Sequence, residues 1–376
     1  MKGNLWKISA STFLVYGGLA ILVYFSLFLK ELGLNNAEIG LIVSLFSWTA
    51  LFSRPLGGRL GDRYSPKTLL ILGAGIFSLS LFGFALVGKN IPFIIALRIS
   101  TGLGFAWYAL GSLLQSVEGE RLEKFTGNVS TLSVFYLLPY FLYPYLGIRI
   151  ARAYGFSWMF AAGGLSALAS VPLILFLRKT DRRKTIRGKL RITPEVFFLG
   201  LMNLLMGWSV NIAFPFIPLL EKVRPGVETG FFFTMVSAVA VFIRAYAGRK
   251  FSFWGKPGAF LPGFLGFALG FALSRFASST FLLIMVGFLV GIGVGTVYPN
   301  ITSITLKIAP HQHRGITMGF VSSMGDLGFC TGPIIFGYLS YRTGLINSFL
   351  VWSMVVFTLS WGVYFLLSSP LRKKCS

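Results

Sequence analysis

The sequence predicts an all-α polytopic membrane protein with twelve transmembrane helices in two pseudo-symmetric six-helix bundles. Three observations predict it. The chain is 55% hydrophobic and only 12% charged, with a mean hydropathy of +0.75, whereas soluble proteins are about 25% charged. The apolar residues come in blocks of about 20, the length of an α-helix crossing a bilayer core. Lysine and arginine gather in alternate connections between those blocks, which is the pattern that orients membrane helices. A transmembrane β-barrel would instead alternate apolar and polar residues over shorter segments.

Taken in order, the spans are expected at 8–29, 38–57, 68–87, 92–115, 127–148, 157–177, 196–218, 229–247, 258–276, 281–306, 316–340 and 347–368. Span one follows Lys2 and Lys7. It is long and lacks a small-residue cleavage site before a polar sequence, so it reads as a retained helix, not a signal peptide. It carries Tyr16 and Tyr24. Span four carries Arg98, Thr101, Phe105, Tyr108, Ser112 and Gln115 at steps of three and four, which puts them on one helix face. Span five contains Pro139 and Pro144; Pro215 and Pro218, Pro299 and Pro333 recur in spans seven, ten and eleven. Each proline removes a helix hydrogen bond and can bend its span. Span eight is cut short by the run RAYAGRK. Spans three, six, nine and twelve carry only small hydroxyls and aromatics. Gly102 and Gly104 in span four, and Gly291, Gly293 and Gly295 in span ten, let helix backbones approach closely in lipid.

Lysine and arginine outnumber acids 34 to 11, a formal +23. In a soluble domain this would point to nucleic acid. Here the basic residues track alternate loops, so they report topology, with both termini cytoplasmic and the chain in the plasma membrane. The densest run, RKTDRRKTIRGKLR at 178–191, joins spans six and seven. It reads as a topology determinant and linker, and as a strip for anionic lipid heads at about 1 kcal/mol per basic residue near the surface. Cys330 lies inside a span and Cys375 in the tail, so no disulfide framework is expected. His311 and His313 flank Gln312 in a loop with no further ligand near in sequence, so no metal site is expected. No G-x-x-x-x-G-K-[ST] pattern occurs, which excludes an ATP-driven pump within this polypeptide. No cofactor is expected beyond an ion gradient, and a monomer is the default.

The two halves of the chain overlay at a single offset. Gly17 falls on Gly207, Glu31 on Glu221, Arg54 on Arg244, Gly58 on Gly248, Arg59 on Arg249 and Tyr108 on Tyr298. One residue less brings Gly102 and Gly104 onto Gly291 and Gly293. The domains are therefore expected at 1–177 and 196–376, joined by a basic cytoplasmic linker at 178–195. Parallel six-helix halves around a midplane site are a transporter design that permits rocking between two access states.

Residues 54–67 read RPLGGRLGDRYSPK and fall between spans two and three. Gly58-x3-Asp62-Arg63-x3-Lys67 is similar to the loop signature of the major facilitator superfamily. Arg98-x3-Gly102-x-Gly104-x-Ala106 resembles that family's fourth-helix signature, and Gly328-x3-Gly332-Pro333-x3-Gly337 its Gly-Pro pattern in helix eleven. The chain thus resembles this superfamily over nearly its whole length. Departures exist: Ser65 and Pro66 replace a usual glycine and basic residue, Ser252 stands where the second copy would repeat Asp62, and span five reads YFLYPYLG without the leading glycines common in exporters. The resemblance implies that helices one, four, seven and ten surround the pathway and that Gly58, Asp62, Arg63 and Lys67 form a cytoplasmic gate. In it Asp62 faces the start of span eleven near Gly315 and pairs with Arg121 or Lys124.

Ionisable groups inside a bilayer mark cavities, partners or relays. Arg98 is a candidate for neutralising an anionic substrate group or organising a proton relay, with Tyr108 and Gln115 on its face. Asp326 is the one acid deep inside a span and a candidate proton carrier, or a structural carboxylate paired with a neighbouring helix. Ser322, Ser323 and Cys330 share its side of span eleven. Span ten offers Thr296, Asn300, Ser303 and Lys307; span seven offers Asn203 and Asn211. The expected function is secondary transport of a small organic molecule by alternating access, as proton-coupled export, with no enzymatic reaction. Symport or uniport uptake, lipid movement, and a non-transporting membrane sensor are the alternatives.

Overall fold

A chain crossing lipid must satisfy its backbone polar groups within each segment, so spans are helical throughout. The computed structural model describes residues 2–63, 65–117, 122–177, 193–247, 257–309 and 314–375, and among these there is no strand. Helix α1 runs Lys2–Ile21, passes through a 3-10 turn at Leu22–Tyr24 and continues as Phe25–Glu31. It is followed by α2 (Asn36–Arg63), α3 (Pro66–Leu86) and α4 (Ile91–Val117). Helix α5 has two parts, Leu122–Leu137 and Tyr143–Tyr154, separated by a 3-10 turn at Leu138–Phe141. Helix α6 is Phe156–Leu168 followed by Ser170–Leu175. Then come α7 (Pro194–Phe216), α8 (Gly230–Phe242, ending in a π-helical turn Ile243–Ala247), α9 (Phe260–Ser274), α10 (Thr280–Ile308), α11 (Arg314–Thr343) and α12 (Leu345–Cys375).

Among the described residues, nine helices are long and apolar enough to cross a membrane by length and composition. Two shorter apolar helices, Gly230–Ala245 and Phe260–Ser274, add α8 and α9. Helix α11 is the twelfth; its glycines, serines and Asp326 hold its hydropathy down.

Local chemistry explains where helices begin. Asn35 accepts at Oδ1 from the amides of Ala37 (2.9 Å) and Glu38 (3.0 Å), while the Glu38 carboxylate accepts from the Asn35 amide at 2.8 Å. This reciprocal arrangement opens α2. Ser65 caps α3 by accepting from the Thr68 amide, with Pro66 at the first helical position. Gly155, at φ 92°, joins α5 to α6 in a conformation other side chains rarely adopt. The interruption of α5 falls between Pro139 and Pro144. Each proline lacks an amide donor and crowds the residue before it, so a straight helix cannot persist there.

The chain folds into two compact units, one formed by residues 1–32 and 45–185, the other by residues 33–44 and 186–376. Within the first unit, α3 and α4 meet through Gly73 and Gly104: a Cβ at Gly73 would strike the Tyr108 amide, and one at Gly104 would lie 2.6 Å from the Phe77 amide. Phe25, Phe84 and Phe160 fill its core, with ring centroids 5.0–6.4 Å apart. Within the second unit, α7 and α11 touch backbone to backbone. A Cβ at Gly207 would strike the Gly325 carbonyl, and one at Gly328 the Leu204 carbonyl. Helix α10 presents Gly287, Gly291 and Gly295 to α8 in the same way. Small residues let these helices approach where lipid supplies no hydrophobic drive for their association.

Candidate functional site

The polar stripe of α4 faces protein. Thr101, Tyr108 and Ser112 are fully buried, and Arg98 and Gln115 are 6% and 7% exposed. The Arg98 guanidinium carbon lies 4.6 Å from the centroid of Phe25 and 4.9 Å from that of Phe46. A cation between two ring faces is stabilised by their quadrupoles, more so away from water. Tyr108 is held by α1: its hydroxyl lies 2.9 Å from Ser11 Oγ and 3.2 Å from Thr12 Oγ1. Ser11 gives its proton to the Ile8 carbonyl at 2.9 Å. A hydroxyl has one proton to donate, so Tyr108 is the donor to Ser11. Tyr108 therefore ties α4 to α1.

Beside this stripe lies an aromatic cluster. Tyr16 stacks on Tyr136 with centroids 4.5 Å apart, and Phe105 meets Tyr16 edge-on at 5.1 Å. Phe105 also contacts Phe46 at 5.4 Å and Phe77 at 6.0 Å. Ser112 lies 3.3 Å from the Tyr136 hydroxyl. All of these belong to the first unit.

In the second unit, Asn203 donates from Nδ2 to the Val321 carbonyl at 2.8 Å, and Asn211 donates to the Phe329 carbonyl. Both bonds join residues 118 apart in sequence, so they share one register on either side of the Gly207 contact. Trp208 adds Nε1 to Thr331 Oγ1 at 2.8 Å. Asp326 is half-buried on α11 between Gly325 and Gly328. Asn300 is fully buried on α10.

The expected cytoplasmic gate is only partly visible. The α2 backbone stays helical through Arg63, so the stretch expected as a loop from 58 is largely helix. The side chains of Asp62, Arg63 and Lys124, the surroundings of Gly58 and Gly315, and Arg121 as a whole lie outside the described residues. So do most of the linker, His311, His313, Gly248, Arg249 and Ser252. Lys67 is described. Its Nζ donates to the carbonyls of Leu175 (2.5 Å) and Leu177 (3.0 Å), and Lys7 Nζ donates to that of Phe176 (3.2 Å). Two ammonium groups thus serve the carbonyl end of α6, where orphan acceptors and the helix dipole favour positive charge.

Sequence reasoning missed the Lys7–Lys67 cap and the Asn203–Asn211 pair as backbone clamps. The first left no local signal, since its partners lie 108–169 residues apart. The second left one: Pro333 lacks the donor that the Phe329 carbonyl requires.

A sequence profile described as Major Facilitator Superfamily matches residues 8–256 and, again, 196–376. The multi-drug resistance efflux pump PmrA homolog of Lactococcus lactis subsp. lactis (strain IL1403) is 25% identical over 387 residues, covering 95% of each chain. The quinolone resistance protein NorA of Staphylococcus aureus (strain MSSA476) is 24% identical over 357 residues, covering 90% of each. Among solved structures, a D-xylose-proton symporter superposes with a TM-score of 0.78 over 96% of both chains at 14% identity, a likeness of fold.

Proposed function

The chain belongs to the Major Facilitator Superfamily, and from that membership we propose that it exports a small organic molecule by alternating access, driven by a proton gradient. It is a multi-pass plasma-membrane carrier with a small-molecule substrate, and it is not an enzyme. The observation that carries the export reading is the alignment with the lactococcal efflux pump over 95% of both chains. The stacked Tyr16–Tyr136 pair with Phe105 supports an apolar, ring-bearing cargo, because offset and edge-on ring contacts are favourable.

In this reading Arg98, Gln115, Asn300 and Asp326 serve the substrate pathway and coupling, Tyr108 and Asn211 hold helices in place, and Lys67 does so in addition to its part in the gate. Gly58, Asp62, Arg63 and Arg121 form the cytoplasmic gate, with a latch of about 1 kcal/mol, enough to bias two states of similar energy. Both termini face the cytoplasm, the chain works as a monomer without a cofactor, and residues 178–191 lie against anionic lipid.

The experiment is accumulation in everted membrane vesicles across sugars, amino acids, cationic drugs, carboxylates and lipids. Export predicts uptake of at least one class into energised everted vesicles, abolished by a protonophore. Accumulation confined to right-side-out vesicles would replace export with uptake. Insensitivity to the protonophore would remove proton coupling.

A further inference from the structure

The half-repeat pairs Arg54 with Arg244 and Tyr108 with Tyr298, yet the members of each pair have different surroundings. Tyr108 is buried and spends its hydroxyl on Ser11 and Thr12; Tyr298 is 40% exposed. Arg54 is exposed, whereas Arg244 reaches into the protein. Its Nη2 donates to the Val294 carbonyl on α10 at 3.1 Å, and its Nε is buried with no hydrogen-bond partner. Tyr298 follows Val294 by one turn of α10, so the phenol shares the helix face that the guanidinium bonds. Among the described residues no carboxylate answers the charge of Arg244.

The backbone places this pair deliberately. Helix α8 widens into the π-helical turn Ile243–Ala247 at Arg244, a distortion that recurs at functional sites. A Cβ at Gly295 would lie 3.1 Å from Ile243, so α8 and α10 are in contact one residue before the arginine. Pro299 withholds the amide that the Gly295 carbonyl would otherwise receive, loosening α10 beside Tyr298. An arginine within a span normally faces a partner or a pathway. Here it has an unused planar donor, a neighbouring phenol with exposed surface, and no internal counter-ion among the described residues.

We propose that Arg244 and Tyr298 form an anion receptor in the second six-helix unit that binds a carboxylate carried by the transported molecule. The guanidinium supplies the charge and the Nε–H donor, and the phenol O–H supplies a second donor to the same group. The proposal rests on the transporter reading above. A lipid phosphate presents the same anionic oxygen chemistry, so the test separates the two.

The probes are 1-naphthoate and 1-naphthamide, which share ring and size and differ in charge. Binding to the purified full-length chain is measured in detergent and in nanodiscs of phosphatidylcholine or phosphatidylglycerol. The expected result is that naphthoate binds about tenfold more tightly than naphthamide, as charge-assisted bidentate recognition implies. That ratio falls to about one in Arg244→Gln, is partly kept in Arg244→Lys, and drops in Tyr298→Phe. Equal binding of both probes to the unaltered chain, or a ratio unchanged in Arg244→Gln, overturns the proposal. If Arg244→Gln is not monodisperse, an unchanged ratio in both Arg244→Lys and Tyr298→Phe overturns it. Loss of the naphthoate preference in phosphatidylglycerol alone assigns the receptor to a lipid headgroup and overturns the substrate assignment. A chain that accumulates compounds in vesicles but treats the two probes alike fails this inference only. A chain that accumulates nothing fails the transporter reading, and this inference with it.

Discussion

Asn211 donates its side-chain amide to the carbonyl oxygen of Phe329, the oxygen that Pro333 leaves without a helical donor. In α11 the amide of residue 333 would serve residue 329, and proline has no amide hydrogen. A buried carbonyl without a partner costs free energy comparable to a lost hydrogen bond. Asn211 on α7 supplies the missing bond from another helix, so α11 at Pro333 is stabilised by α7.

That pairing predicts a double-mutant coupling. Asn211→Ala lowers stability by about 0.5–1.5 kcal/mol, the net worth of a part-buried hydrogen bond. In a Pro333→Ala background the residue-333 amide serves Phe329 itself, and the loss on removing Asn211 shrinks to a few tenths. Thermal denaturation in detergent of the four proteins of the cycle measures it. Strictly additive losses would show that Asn211 and Pro333 act separately.

Tyr108 yields a prediction that separates a helix tie from a cavity wall. Its hydroxyl donates to Ser11, which has already given its own proton to Ile8. Tyr108→Phe keeps the ring and removes this donor, so it costs about 0.5–1.5 kcal/mol of stability. Ser11→Ala should cost a similar amount, and the double variant little more than either alone. If Tyr108→Phe changes which substrates are carried while leaving the melting temperature untouched, the hydroxyl faces cargo and not α1.

Lys67 was legible as part of a loop signature, and the structure gives it a second role at the end of α6. A cation on the last carbonyls of a helix is worth about 0.3–1 kcal/mol. Lys67→Met should therefore raise local opening at residues 170–177 about two- to fivefold, and Lys67→Arg should largely prevent the increase. Hydrogen–deuterium exchange of that segment is the measurement. Unchanged exchange in Lys67→Met would return the residue to the gate alone.

Most of the fold was readable because lipid permits so few backbone solutions. Apolar blocks of one length had to be helices. Where prediction slipped, the cause was local chemistry. The region from Gly58 to Arg63 was expected as loop because its charges suggest solvent, yet a helix propagates through it. The α5 break was foreshadowed by Pro139 and Pro144, although its extent depends on neighbours that pack there. The site was less legible than the fold. A periodic stripe identifies which residues of α4 share a face, but only packing shows that Tyr108 meets Ser11 and that Arg98 lies between Phe25 and Phe46. Asn211 reads from the sequence as a cavity residue, and the structure adds a bond to the α11 backbone, which an intramembrane amide can make as well as one to cargo. The rule that a proline orphans the carbonyl four residues earlier would have named its partner, had α7 and α11 been known neighbours.

Asp326 carries the last prediction. It lies half-buried on α11, between two glycines that press against α7. A carboxylate within a membrane-spanning helix is expensive, so it is expected to serve a pathway or a relay. If protons move through it, the side chain must gain and lose a proton during each cycle, which an amide cannot do. Asp326→Asn should therefore abolish substrate-driven proton flux in proteoliposomes loaded with a pH-sensitive dye, and Asp326→Glu should restore part of it. The Asn variant must be monodisperse in detergent, so that lost flux is not lost folding. Undiminished flux in Asp326→Asn would remove this residue from coupling and leave it a structural carboxylate at the α7–α11 seam.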